Sequence, residues 1–254
     1  AYWEKGTMNR DGFNSNLPSV MDFPLYNAIT QALSKDSIGW NEGMTFVYQA
    51  LSNDFLFEDP NKLLIMAANH DTERISDVVG KSPEKAKIVA TLLATLRGTP
   101  QIFCGDELMF VTKDKTAWHA GLRVDFPGGW TSDSINLFDL SQHNEIQKNI
   151  FEHYRKLFNW RKNEKVIHTG KMMHFVSPPL DNTYSYIRYN DDCTVFVFIN
   201  ASKEPKTINW DQYSEVLNKY NYAGKDVITG ENFTTRQNIV DGISSVVVKF
   251  LKPE

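Results

Sequence analysis

Basic residues are not in excess in this sequence, cysteine is nearly absent, and no long apolar run occurs. Lys and Arg number 27 against 31 Asp and Glu, giving a formal charge of −4 over 254 residues. The cations are spread along the chain, and the balance has the wrong sign for a surface that tracks phosphates, so nucleic acid is excluded as a partner. No stretch approaches the ~20 consecutive apolar residues of a membrane span, which excludes a transmembrane helix. The opening Ala1-Tyr2-Trp3-Glu4-Lys5 is not a signal peptide. It begins without Met inside a polar, aromatic loop, and a fragment of a longer protein is expected. The two cysteines, Cys104 and Cys193, each sit in an apolar run and read as two buried free thiols rather than a disulfide. The compartment stays open on that evidence.

What the chain does have is core-forming material. Hydrophobic residues make up 41%, with 16 Phe, 10 Tyr and 6 Trp, which together with the low net charge excludes disorder. A chain of this length buries about 70–75% of its unfolded surface.

Its pattern changes near Val166–Gly170. Before that point apolar runs alternate with helical spacing. A strand is expected near 19–23, followed by apolar positions 25, 26, 28, 29, 32 and 33 on a helix with Pro24 at its start. A second helical stretch runs from Met44 to Phe55. Leu63 to Ala68 is unbroken and apolar, as in a strand buried on both faces of a parallel sheet. Ser82-Pro83-Glu84 opens a helix over Lys85–Arg97, closed by Gly98. Pro100 to Cys104 is a third strand, and an amphipathic helix covers Glu145–Lys162. This is βα repetition, an α/β arrangement. From Gly170 the chain turns to short strands: Met172–Val176, Tyr184–Tyr189, Thr194–Asn200, Lys206–Trp210, Lys225–Ile228 and Ser244–Leu251. They read as an all-β antiparallel, sandwich-like module.

In parallel βα folds, functional groups gather at the carboxyl ends of the strands. Those ends carry Asp22, Asn69-His70-Asp71 and Asp106-Glu107. Three polar residues directly after an apolar run must emerge at the sheet rim. A carboxylate beside an imidazole there suits a ligand with hydroxyls and a developing positive charge. The bland alternative is that Asp71 caps a turn. A metal site using His70, Asp71 and Glu107 is the weaker option, because no second His stands at helical spacing. The loop over 112–136 adds Trp118, His119, Arg123, Asp125, Phe126, Gly128, Gly129 and Trp130. Rings with nearby donors suit a sugar face, and the same tryptophans serve equally to pack the loop.

Leu64-Ile65-Met66-Ala67-Ala68-Asn69-His70-Asp71 resembles the fourth conserved region of the α-amylase superfamily of glycoside hydrolases. Gly98-Thr99-Pro100-Gln101-Ile102-Phe103-Cys104-Gly105-Asp106-Glu107 resembles its last barrel-strand motif. Asp11-Gly12-Phe13-Asn14-Ser15-Asn16-Leu17-Pro18 and Arg123-Val124-Asp125-Phe126-Pro127-Gly128-Gly129-Trp130 are similar to neopullulanase and cyclomaltodextrinase-like members of Bacteroides-type bacteria.

The resemblance implies the last three βα units of a (β/α)8 TIM barrel over 1–166 and a C-terminal antiparallel β-sandwich over 167–254, with the first five units upstream. It implies an α-glucan substrate such as starch, pullulan, maltodextrin or cyclodextrin, and a retaining mechanism. Asp71 is then catalytic, supporting the oxocarbenium-like transition state. Asn69, His70 and Arg123 are substrate-binding, His70 through hydroxyls at the cleavage point and Arg123 through a neighbouring glucose. Four residues before Arg123 some members carry Asp; here it is His119. The family nucleophile and acid/base lie on the fourth and fifth strands, and nothing in this sequence resembles either motif. No cofactor is implied. Calcium occurs in relatives, but no acidic loop here has ligand spacing for it. A periplasmic or secreted location is favoured by the resemblance alone.

The rival to a hydrolase represented by its C-terminal part is a non-catalytic carbohydrate-binding or assembly fragment. Three parallel strands leave two sheet edges open, and the inner faces of Ile65, Met66, Ile102 and Phe103 are expected to lack partner layers. Either upstream strands or self-association through a second copy would cover them.

Overall fold

The computed structural model describes residues 17–252 apart from 118, 179, 220–222 and 237. Trp118 and all but the last two residues of the Asp11–Pro18 motif lie outside the described residues.

The first part is built on three parallel backbone segments. Strand β1 (Leu64–Met66) pairs with β2 (Thr99–Gln101) in the register Leu64↔Thr99, Ile65↔Pro100 and Met66↔Gln101. The expected strand at 19–23 reduces to one parallel bridge, Met21↔Leu64. It is cut short because Asp22 already caps helix α1 (Phe23–Ser34): its Oδ1 accepts from Leu25 N at 3.0 Å. The face of α1 formed by Leu25, Ala28, Ile29, Ala32 and Leu33 is buried, the spacing of an amphipathic helix. Helix α2 (Thr45–Leu51) follows. After β1 come a single turn, α3 (Ile75–Val78), and then α4 (Pro83–Thr95), capped by the Ser82 hydroxyl accepting from Lys85 N. After β2 come α5 (His119–Leu122), α6 (Glu145–Arg161) and α7 (Lys165–His168). The start of α6 is set by a capping box between Asn144 and Gln147.

The second part is a six-stranded antiparallel sheet. Its strands are β3 (Lys171–Phe175), β4 (Thr183–Tyr189), β5 (Cys193–Asn200), β7 (Ala223–Asp226), β8 (Asn232–Thr234) and β10 (Ser244–Leu251), in the order β3-β4-β5-β10-β7-β8. Two more strands, β6 (Lys206–Thr207) and β9 (Ile239–Val240), pair separately. The expected strand over Lys206–Trp210 is therefore short, because Trp210 begins a helical turn, and β8 and β9 were not foreseen. Alternation divides the faces of the large sheet. Tyr184, Tyr186, Val195, Val197 and Val247 join the core of the first part, whereas Ile187, Phe196, Val248 and Phe250 meet Tyr213, Leu217, Phe233 and Val240. The second layer is thus a two-stranded sheet with the short helix α8 (Ser214–Leu217), not a second full sheet.

Helix α4 ties the two parts together and is buried almost all round. Thr91 Oγ1 lies 2.9 Å from Ser245 Oγ, and Thr95 Oγ1 lies 2.5 Å from the Tyr186 hydroxyl. Arg161, from α6, donates to the carbonyls of Ala94, Leu96 and Gly98, satisfying groups that the end of α4 leaves open. Arg188 is fully buried and donates to Gly170 O at 2.9 Å.

Two expectations from the sequence do not hold in the structure. Ile65 and Met66 are 0% exposed, shielded by the chain's own residues; the turn after β1 folds back so that Asn69 Nδ2 lies 3.3 Å from Met66 Sδ. Ile102 and Phe103 are partly buried. Cys104 is exposed rather than buried, because β2 ends at Gln101 and Cys104 stands in the turn beyond; Cys193 is buried, and both are free.

Candidate active site at the carboxyl end of the parallel strands

Strand β1 delivers Asn69, His70 and Asp71 to the sheet rim. Asn69 is buried, and its Oδ1 accepts from Asp71 N at 2.8 Å while its own N–H donates to Thr72 Oγ1 at 2.8 Å. This turn fixes Asp71 relative to the strand. The Asn69 side chain bonds within the turn and to Met66.

The turn throws His70 and Asp71 outward. Arg123 Nη2 lies 2.8 Å from Asp71 Oδ1, and Arg123 Nε donates to His70 O at 3.1 Å. His70 Nε2 is 3.2 Å from Asp71 Oδ2, and His119 Nδ1 is 3.7 Å from Asp71 Oδ1. The structure therefore brings together three of the four expected site residues on one carboxylate, and adds His119. Asp71 keeps 55% of its side chain open to solvent. A hollow of about 350 Å³ lies beside it, lined by Asp71, Glu73, Thr112, Lys115, His119 and Leu122. A second hollow, of about 560 Å³, lies at the amino ends of the strands near Val20, Leu63 and Thr99, away from this chemistry.

The other strand-end carboxylates serve the fold. Asp22 is buried and paired with Arg97. Glu107 Oε2 turns back to accept from Gly105 N at 3.0 Å. Asp106 is buried 3.5 Å from Arg74; burial drives its carboxyl up to about 7 against the pull of that guanidinium. Arg74 was not singled out in the sequence. The available signal was its place three residues beyond Asp71. Among the described residues, no group of three or more His, Cys, Asp and Glu side chains is placed to hold a metal, and no helix is long and apolar enough to cross a membrane.

Short parallel strands followed by helices, with an antiparallel sheet behind them, define an α/β part joined to an all-β part. Residues 7–126 match the family model of the alpha amylase catalytic domain, and residues 172–248 match that of the cyclo-malto-dextrinase C-terminal domain. The two matches, in this order, make both parts of the chain similar to α-amylase superfamily proteins. It is 26% identical over 193 residues to the maltogenic alpha-amylase of Bacillus acidopullulyticus, covering 73% of this chain and 29% of that protein. It is 22% identical over 220 residues to the cyclomaltodextrinase of Geobacillus thermopakistaniensis, covering 85% of this chain and 33% of that one. The alpha-amylase of Geobacillus thermoleovorans, solved with acarbose, has the same fold over 94% of this chain and 49% of its own, with a TM-score of 0.71 at 18% identity. The chain spans less than half the length of each of these relatives.

Proposed function

We propose that this chain is the carboxyl-terminal part of a retaining α-glucan hydrolase, and that Asp71 is its transition-state carboxylate. On this reading residues 1–166 are the last three βα units of a (β/α)8 barrel, and 167–254 are the antiparallel domain that follows. The observation that carries the proposal is Asp71 itself, held by Arg123 and flanked by His70 and His119 beside an open hollow. The parallel order of Met21, β1 and β2 supports the barrel assignment. The burial of Ile65 and Met66 by the chain's own residues counts against an open barrel face at β1, whereas Ile102 and Phe103 stay partly exposed.

The chemistry follows from charge. Glycosidic cleavage places positive charge on the sugar ring as the bond breaks. A carboxylate already fixed beside that ring stabilises the transition state more than the neutral substrate, so it lowers the barrel enzyme's barrier rather than merely tightening binding. Arg123 and the Asn69 turn fix the carboxylate in place before the reaction. His70 supplies ring nitrogens to sugar hydroxyls. A retaining enzyme also needs a nucleophile and an acid about 5–5.5 Å apart. Neither motif occurs in the 254 residues, and both are assigned to upstream strands.

The test is hydrolysis of starch, pullulan and cyclodextrins by the full-length protein and by these 254 residues alone. The full-length protein should be active, the isolated chain inactive. Asp71→Asn in the full-length protein should lower kcat by roughly 10²–10³-fold with the fold intact. Near-normal kcat in that variant would leave Asp71 as a turn residue and favour the carbohydrate-binding alternative.

A further inference from the structure

We infer that Arg74 is a positioning residue for the Asp71–Arg123 pair: its buried guanidinium fixes the end of the loop that presents Arg123. The inference rests on the reading of Asp71 given above. Arg74 is 1% exposed and lies three residues after Asp71. Its Nε donates to Leu122 O at 2.9 Å, and its Nη1 donates to Cys104 O at 2.5 Å. Leu122 immediately precedes Arg123, and Cys104 stands just beyond β2. One planar group thus connects the turn after β1, the turn after β2 and the residue next to Arg123.

The loop needs such a tie. Helix α5 is four residues long; His119 O accepts from Arg123 N and Gly121 O from Lys113 N, and Leu122 O takes its bond from a side chain. Arg74 supplies the donor for Leu122. A guanidinium presents its N–H groups in a rigid plane, so two carbonyls bound at once are held at a fixed separation. An ammonium cannot do this.

The Arg74 plane is itself held, with its Cζ 3.8 Å from the centre of the Phe103 ring. The contact to Asp106 is looser, 3.5 Å from Nη1 to Oδ1. Asp106 is the acidic group beside the buried guanidinium, while the two carbonyl bonds tie that guanidinium to the Arg123 loop. From there Arg123 reaches both Asp71 Oδ1 and His70 O.

The experiment is a double-mutant cycle in the full-length enzyme, read as kcat and KM on a soluble maltodextrin. Arg74→Lys keeps the charge and loses the fork, and kcat should fall roughly ten- to a hundredfold, the scale of a 1 Å misplacement at a reacting site, with KM changing much less. In an Arg123→Ala background the same Arg74→Lys change should cost less than about threefold, because the residue through which it acts is gone. Asp106→Asn, which leaves both carbonyl bonds in place, should hold kcat within about threefold. Hydrogen exchange should quicken in peptides over 113–123 of Arg74→Lys and stay unchanged in α4 and β5. If the lysine variant does not fold, Arg74→Gln, which keeps a planar donor for one carbonyl, enters the same cycle. Equal losses in both Arg123 backgrounds, or a loss in Asp106→Asn matching that in Arg74→Lys, overturn the assignment. A parallel Asp71→Asn variant with full activity would overturn the functional reading instead, and the exchange data would still report on the tie.

Discussion

Arg97 Nη1 lies 2.6 Å from Asp22 Oδ2, and both side chains are almost wholly buried. The contact joins the residue before α1 to the residue before Gly98, and so fixes the first parallel segment against the entry to β2. Arg97 is held on its other side by Asp54, with Nε 2.9 Å from Oδ2. Asp22→Ala would remove one partner of a buried charge and the cap of α1 together. Urea unfolding of the chain should show a loss of about 3–5 kcal/mol. A loss below 1 kcal/mol would mean that Asp54 alone satisfies the guanidinium.

The Arg123–Asp71 pair is of the opposite kind, because about half of each side chain is in solvent. Exposed pairs contribute little to folding, so Arg123→Ala should change stability by no more than about 1 kcal/mol. Under the proposed function, its effect belongs to activity. In the full-length enzyme kcat/KM on maltodextrin should fall at least about tenfold, since Asp71 loses its fixed donor. Parallel melting curves and steady-state kinetics separate the two effects.

Gly98 has φ +95°, and a Cβ there would lie 2.7 Å from Leu63 O, a backbone atom that cannot step aside without moving β1. Gly98→Ala should therefore cost about 1–3 kcal/mol, combining left-handed backbone strain with separation of β1 from β2. Thermal unfolding reads the loss directly. Gly80→Ala, at φ +64° with open space around it, provides the control for backbone strain alone.

His153 gives the chain a pH dependence of defined sign. Burial, and secondarily the charge of Lys87, lowers its imidazole from 6.5 to about 4. Below pH 6.5 the unfolded chain takes up a proton that the folded chain refuses. Stability from this group is therefore fully present above pH 6.5 and is lost as pH falls toward 4, by roughly 3 kcal/mol in all. His153→Gln should lack that part of the slope between pH 7.5 and 4. Parallel slopes for the two proteins would show that His153 opens to water before it titrates.

The sequence by itself determined the elements whose cause is local. The apolar spacing of Leu25, Ala28, Ile29, Ala32 and Leu33 specified α1, and Ser82-Pro83 specified where α4 begins. The strand Ser244–Leu251 was read to the residue, because alternation and flanking turn residues are properties of neighbouring positions. The rim residues Asn69, His70 and Asp71 were legible for the same reason: a polar triplet after an apolar run has to surface there. What only the tertiary structure decided depends on partners far apart in the chain. Asp22 and Asp106 look like rim carboxylates in the sequence, yet each is buried against an arginine, Arg97 in one case and Arg74 in the other. The loop that carries Arg123 meets Asp71 across 52 residues, and Arg74 reaches Leu122 across 48. No periodicity records such contacts, because they depend on how short strands and loops converge at one end of a sheet. Local pattern sets which side chains reach the rim, and long-range packing sets which of them face one another there.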